Sequence, residues 1–140
     1  NIIKLKIKRM KYILKYCILI LVITNSYSQT NSIIGKWKNI GFKNSINGFE
    51  FKSDNTAVMY DEKNEASPIF TLKIDESKKP IWLDMQLEKN DVLVKFYGLV
   101  EFKDSKTINL KIYRGNYEVH PVNFSEHSKS AVIFTLEKIE

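Results

Sequence analysis

Past residue 28 the chain has no cysteine; its one Cys is Cys17. No disulfide can brace the remainder, so packed side chains must suffice even in an oxidising compartment. Acids are missing from the other end. Residues 1–28 hold Lys4, Lys6, Lys8, Arg9, Lys11 and Lys15 and no Asp or Glu. Those cations account for the whole net charge of +6, and residues 29–140 carry 16 basic and 16 acidic side chains. The basic balance therefore belongs to the leader, and the even mixture beyond it argues against a nucleic-acid-binding surface. Long apolar runs are lacking too. The uncharged run at residues 16–24 spans nine residues, less than half of the roughly twenty that a membrane-spanning helix needs. There is no P-loop, no dinucleotide fingerprint and no Ser-nucleophile motif. Internal repeats, low-complexity tracts and helical periodicity are absent beyond the leader.

What the first 28 residues do contain has the layout of an export signal. Lys11 and Lys15 form a positive segment, residues 16–24 an apolar one, and Ser26 and Ser28 put small side chains at the −3 and −1 positions of a cleavage site. This predicts a signal helix that starts at Met10, with residues 1–9 upstream of it, and is cleaved after Ser28. The destination is the secreted or periplasmic space, and the mature domain is 29–140. Cys17 sits early in the apolar run, whereas a lipid-attachment Cys follows such a run, so no membrane anchor is expected in the mature form.

The mature chain repeats one pattern, apolar and polar residues in strict alternation. Trp37 lies between Lys36 and Lys38. Phe49 and Phe51 alternate with Glu50 and Lys52, and Phe70, Leu72 and Ile74 with Thr71, Lys73 and Asp75. Ile81, Leu83, Met85 and Leu87 form another stripe, and the longest runs through Val92, Val94, Phe96, Gly98, Val100 and Phe102. Ile108, Leu110 and Ile112 follow, then Val132, Phe134 and Leu136. With Thr56–Asp61 this makes about eight short strands. An open sheet would leave sticky edges, so the expected fold is all-β, an eight-stranded antiparallel up-and-down barrel.

Parity constrains the register, because facing residues must point the same way. A two-residue loop at Lys89-Asn90 pairs Leu87 with Val92, Met85 with Val94 and Leu83 with Phe96. A three-residue loop at Asp104-Ser105-Lys106 pairs Phe102 with Ile108 and Val100 with Leu110. Both loop lengths are common in hairpins.

With the strands in place, Ile34-Gly35-Lys36-Trp37 resembles the G-x-W opening of lipocalins. Residues 72–84, from Leu72-Lys73-Ile74-Asp75 through Pro80 to Leu83-Asp84, resemble a motif of small secreted lipocalin-like domains. Gly98-Leu99-Val100-Glu101-Phe102 resembles their next strand. His120-Pro121-Val122-Asn123-Phe124 stands where that family has Arg-Pro-x-x-Phe, so the family Arg has no counterpart here. The resemblance spans 34–138. It implies a calycin-type barrel and, by analogy with lipocalins proper, a small apolar molecule bound inside. Fold alone does not set function.

Candidate sites fall on the two faces of the barrel. The inward residues Trp37, Phe49, Phe51, Phe70, Phe96 and Phe134 either fill the core or line a ligand cavity. Trp37 reads as a plug at one barrel end or as a ligand platform. On the outer face the same registers align Trp82, Tyr97 and Tyr113 in a row extended by Leu99 and flanked by Lys95 and Lys111. That row is a recognition platform for a protein or glycan, or a cross-strand ladder roofed by residues 115–130. His120 and His127, near Glu118 and Glu126, match no recurrent metal-ligand spacing and read as solvated loop residues. Asp75 and Asp84 resemble an acid–base pair less than turn and surface residues. No metal, cofactor or catalytic residue is expected. The expected function is a secreted non-catalytic binding module for a small apolar ligand; the alternative is a packed barrel that binds a protein or glycan outside. Mass spectrometry of the exported protein should find Gln29 at its N-terminus, and a product retaining residues 11–24 would defeat the leader assignment.

Overall fold

Alternation at this spacing does produce the expected strands. The computed structural model describes residues 31–41, 43–114, 120–125 and 130–140; the signal helix, Met10, Cys17, Glu118, Glu126 and His127 lie outside them. Eight strands follow in order: β1 (Gly35–Asn39), β2 (Ile46–Phe51), β3 (Thr56–Asp61), β4 (Phe70–Asp75), β5 (Ile81–Lys89), β6 (Val92–Phe102), β7 (Thr107–Arg114) and β8 (Ala131–Ile139). Each pairs antiparallel with the next, and β1 also pairs with β8, Trp37 opposite Lys138. The sheet is a closed barrel, and no helix occurs among the described residues.

The inward stripes meet as the alternation demands. Phe49, Phe51, Leu83, Ile108, Leu110 and Leu136 are fully buried in one cluster with Trp37, Phe70, Met85 and Phe134. The β6–β7 register is the expected one, Phe102 opposite Ile108, Val100 opposite Leu110 and Tyr97 opposite Tyr113. In the turn between them the Asp104 carboxylate accepts the Lys106 N–H.

The β5–β6 hairpin departs from expectation by two residues. Its turn is Asn90-Asp91, with φ of 51° and 60°, not Lys89-Asn90. Leu87 therefore faces Val94 and Met85 faces Phe96. A tight hairpin turn of this kind holds both central residues in the left-handed region, which Asn and Asp tolerate better than Lys. An even shift leaves every side chain on its expected face, which is why parity did not detect it. The shift does break the outer row: Trp82 now faces Leu99 rather than Tyr97.

The same hairpin overshoots the barrel. Strand β4 begins at Phe70, and the last β5 residue opposite it is Gln86, across from Thr71. Leu87–Lys89 and their β6 partners extend past that rim. Val92 and Val94 belong to the inward stripe, yet they are exposed there. The seam between β3 and β4 is short, with only Thr56 opposite Thr71 and Ala57 opposite Phe70. Beyond it β3 turns to the connecting segment, where the Ser67 N–H donates to the Met59 carbonyl at 2.8 Å and the Met59 N–H donates to the Ser67 hydroxyl at 3.0 Å.

Depth of burial sets what each ring is worth. Phe134 is buried and packs edge-on against Phe49, centroids 5.1 Å apart, whereas Phe96 is only half-buried near the rim. Phe134→Ala should cost about 3–5 kcal/mol, and Phe96→Ala clearly less, in urea unfolding followed by circular dichroism. Equal losses would contradict this placement of the two rings.

Candidate functional site

The barrel interior is occupied by its own rings. Phe49 stacks on Phe51 at 5.8 Å, and Phe70 leans on Phe96 at 5.8 Å. At one end the chain entering β1 turns inward and buries Ile33. The Trp37 indole N–H donates to the Ile33 carbonyl at 2.7 Å. The Lys138 ammonium lies 5.3 Å from the Trp37 ring and donates to the Ser32 carbonyl. Trp37, Phe49, Phe51, Phe70 and Phe134 are thus each in contact with protein on the inward side, and Phe96 stands at the other end, near the rim.

The outer face over β5, β6 and β7 carries a second, smaller core. Leu99, Lys111 and Tyr113 point outward from the barrel, yet they are 0%, 4% and 1% exposed. Residues 120–125 lie against two of them. The Lys111 ammonium donates to the Phe124 carbonyl at 2.7 Å, and the Tyr113 hydroxyl donates to the Asn123 carbonyl at 3.2 Å. A buried ammonium without a partner would be costly, and the strap supplies one. Tyr113 offers no open surface; Trp82 and Tyr97 stay half-buried.

His120 closes this strap. Its ring stacks on Trp82, centroids 3.9 Å apart and planes within 8°, and leans on Tyr97 at 4.9 Å. One ring nitrogen, Nε2, is 2.7 Å from Asp84 Oδ1, and the other, Nδ1, is 2.7 Å from the Pro121 carbonyl. Its side chain is only 9% exposed, so His120 is not the solvated loop residue that its Pro-containing surroundings suggest. Trp82 and Asp84, two apart on β5, share one outward face and present a flat ring beside a carboxylate. That i, i+2 pairing was the available signal for a histidine partner. Lys78 adds a cation 4.9 Å from the same Trp82 ring.

Asp75 and Asp84 do not come together as an acid–base pair. Asp75 accepts from the Ser77 hydroxyl at 2.6 Å and the Ser77 N–H at 3.0 Å, and the Ser77 hydroxyl holds its carboxyl below the usual carboxylate range. This is turn chemistry. Among the described residues no group of three or more His, Cys, Asp or Glu is disposed to hold a metal.

Among the described residues, three of the concavities open on the outside of the barrel. One of about 340 Å³ lies over β4, β5 and β6 beside the strap, lined by Thr71, Lys73, Asp84, Gln86, Lys95 and Tyr97. A second, of about 280 Å³, lies over Gly48 between Lys36, Lys38 and Tyr60. A Cβ on Gly48 would sit 2.5 Å from the Trp37 carbonyl oxygen, so only glycine permits the close approach of β2 to β1 there. The Tyr60 hydroxyl is committed to Glu50 at 2.6 Å, which holds the phenol above its ordinary range. The third, of about 440 Å³, runs beside it along the β1–β2 connection, from Lys38 to Glu62.

A double-mutant cycle tests the clasp. His120→Ala and Asp84→Ala should each destabilise the fold, and their coupling should be about 1–3 kcal/mol, the range of a hydrogen bond to a charged group. Additive losses would mean that the two side chains act independently. Compared with family models, with curated proteins and with solved structures, the chain matches none.

Proposed function

We propose that the chain is a secreted, lipocalin-like, non-catalytic binding module that meets its partner on the outside of the barrel, over β4, β5 and β6. The observation that carries this is the groove lined by Lys73, Asp84, Gln86, Lys95 and Tyr97. It is built on three hydrogen-bonded strands rather than on loops, so the backbone that carries its side chains is set before a partner arrives. At about 340 Å³ it falls at the lower end of small-molecule sites, roughly 300–1,000 Å³. It combines one aromatic wall with convergent polar groups, the usual composition of a recognition site. The leader of residues 1–28 supports export, and the Gly35-x-Trp37 opening supports the lipocalin-like assignment. Equal numbers of basic and acidic residues in 29–140 speak against nucleic acid as the partner.

A small apolar ligand is the second reading, seated at the rim rather than in the core. Val92 and Val94 favour it: they belong to the inward stripe, are exposed, and stand beside half-buried Leu87 and Phe96. Amide shifts under a mixed fragment screen separate the two. Perturbations at Thr71, Lys73, Gln86, Lys95 and Tyr97 are expected. Shifts confined to Leu87, Val92, Val94 and Phe96 would transfer the assignment to the rim, and shifts centred on Phe49 and Phe134 would overturn both readings.

A further inference from the structure

We infer that the groove over β4, β5 and β6 takes an acidic saccharide, with a sugar ring against Tyr97 and a carboxylate drawn between Lys73 and Lys95. The inference rests on the outer-groove reading above and adds the class of ligand. Three properties of the groove select it.

The first is polarity. Thr71 and Gln86 face each other across β4 and β5, and Gln86 faces Lys95 across β5 and β6. A hydroxyl, an amide and an ammonium therefore form one row that both donates and accepts hydrogen bonds. An apolar molecule would strip water from that row and return nothing, whereas a polyhydroxylated one replaces each lost water contact. The second is the ring. Tyr97 is half-buried and braced from one side by His120. A ring already held in place gives up little freedom when a flat, partly apolar sugar face settles on it.

The third is charge. Lys73 and Lys95 stand on the strands either side of β5 and are both exposed. The acid that lines the groove with them, Asp84, faces Lys73 across β4 and β5 and is engaged by His120 through Oδ1. Two ammonium groups thus flank a groove whose carboxylate already has a cationic neighbour and a histidine. Adjacent strands are about 4.8 Å apart, so Lys73 and Lys95, with β5 between them, are separated by roughly 10 Å across the sheet, a gap that their long flexible stems can close on a single anion. A neutral sugar would use the polar row and the ring but leave the two lysines with Asp84 as the one acid among the groove's lining residues.

The test uses two probes that share ring type and chain length and differ only at C6 of each ring, a carboxylate in one and a hydroxymethyl in the other: tri-galacturonate and neutral galactotriose. Both are titrated into the protein at low salt while amide shifts are followed at Thr71, Gln86 and Tyr97. The acidic trisaccharide is expected to bind about ten-fold more tightly, equivalent to about 1.4 kcal/mol, which is the size that two exposed ion pairs reach. That preference should shrink as salt rises. The double variant Lys73→Gln, Lys95→Gln should bring the two probes to equal affinity while leaving the melting temperature unchanged. Equal binding of the two probes in the groove would overturn the acidic assignment and leave the groove standing. Shifts from neither probe, together with a fragment screen that also leaves the groove silent, would remove the groove itself.

Discussion

Closing the sheet between β1 and β8 encloses one face of all eight strands and leaves the other face to solvent. An eight-stranded barrel is just wide enough for side chains to meet across its axis. This chain supplies large rings at those positions, and Phe49 reaches both Phe51 and Phe134. The interior is thereby spent on stability, which a domain without a single cysteine past residue 28 has few other ways to obtain.

The outer face is not uniform. Over β5, β6 and β7 it carries Leu99, Lys111 and Tyr113, residues too apolar or too committed to stay open, and the strap of residues 120–125 lies against Lys111 and Tyr113. Its hydrogen bonds run mostly from side chain to backbone carbonyl, at Phe124, Asn123 and Pro121. The strap needs no regular structure of its own to be held. Among the described residues no buried side-chain nitrogen or oxygen lacks a partner, so the polar groups beneath the strap cost little to bury. The neighbouring face over β4 has no such cover, and there the groove begins.

Much of this was readable from alternation alone. A period of two sets which way each side chain points, and strand identity, the buried rings and the β6–β7 register all follow from it. The β5–β6 register did not, because moving a hairpin turn by one residue shifts every facing partner by two and satisfies the same parity. Only the left-handed backbone at Asn90 and Asp91 separates the two turns. Leu99 and Tyr113 were visible as outward apolar positions that a roof at 115–130 would explain. The role of His120 was not visible from its own segment. Its partners Trp82 and Asp84 lie 38 and 36 residues earlier, and an irregular segment has no period that points to them. The groove was invisible for a related reason: its lining comes from three strands, and each contributes only two ordinary polar residues.

The shortness of the β3–β4 seam bears on how such a barrel breathes. With two register pairs there against seven between β5 and β6, local opening should begin where the ladder is thinnest. Strand β4 is then the loose stave of the cask, fastened firmly only along its β5 side. Thr71 and Lys73 sit on that stave, and Gln86 and Lys95 sit on the well-fastened hairpin beside it. A molecule gripping both would tighten the side of the stave that is already fastened, so backbone protons along β3 would go on exchanging first whether the groove is filled or empty.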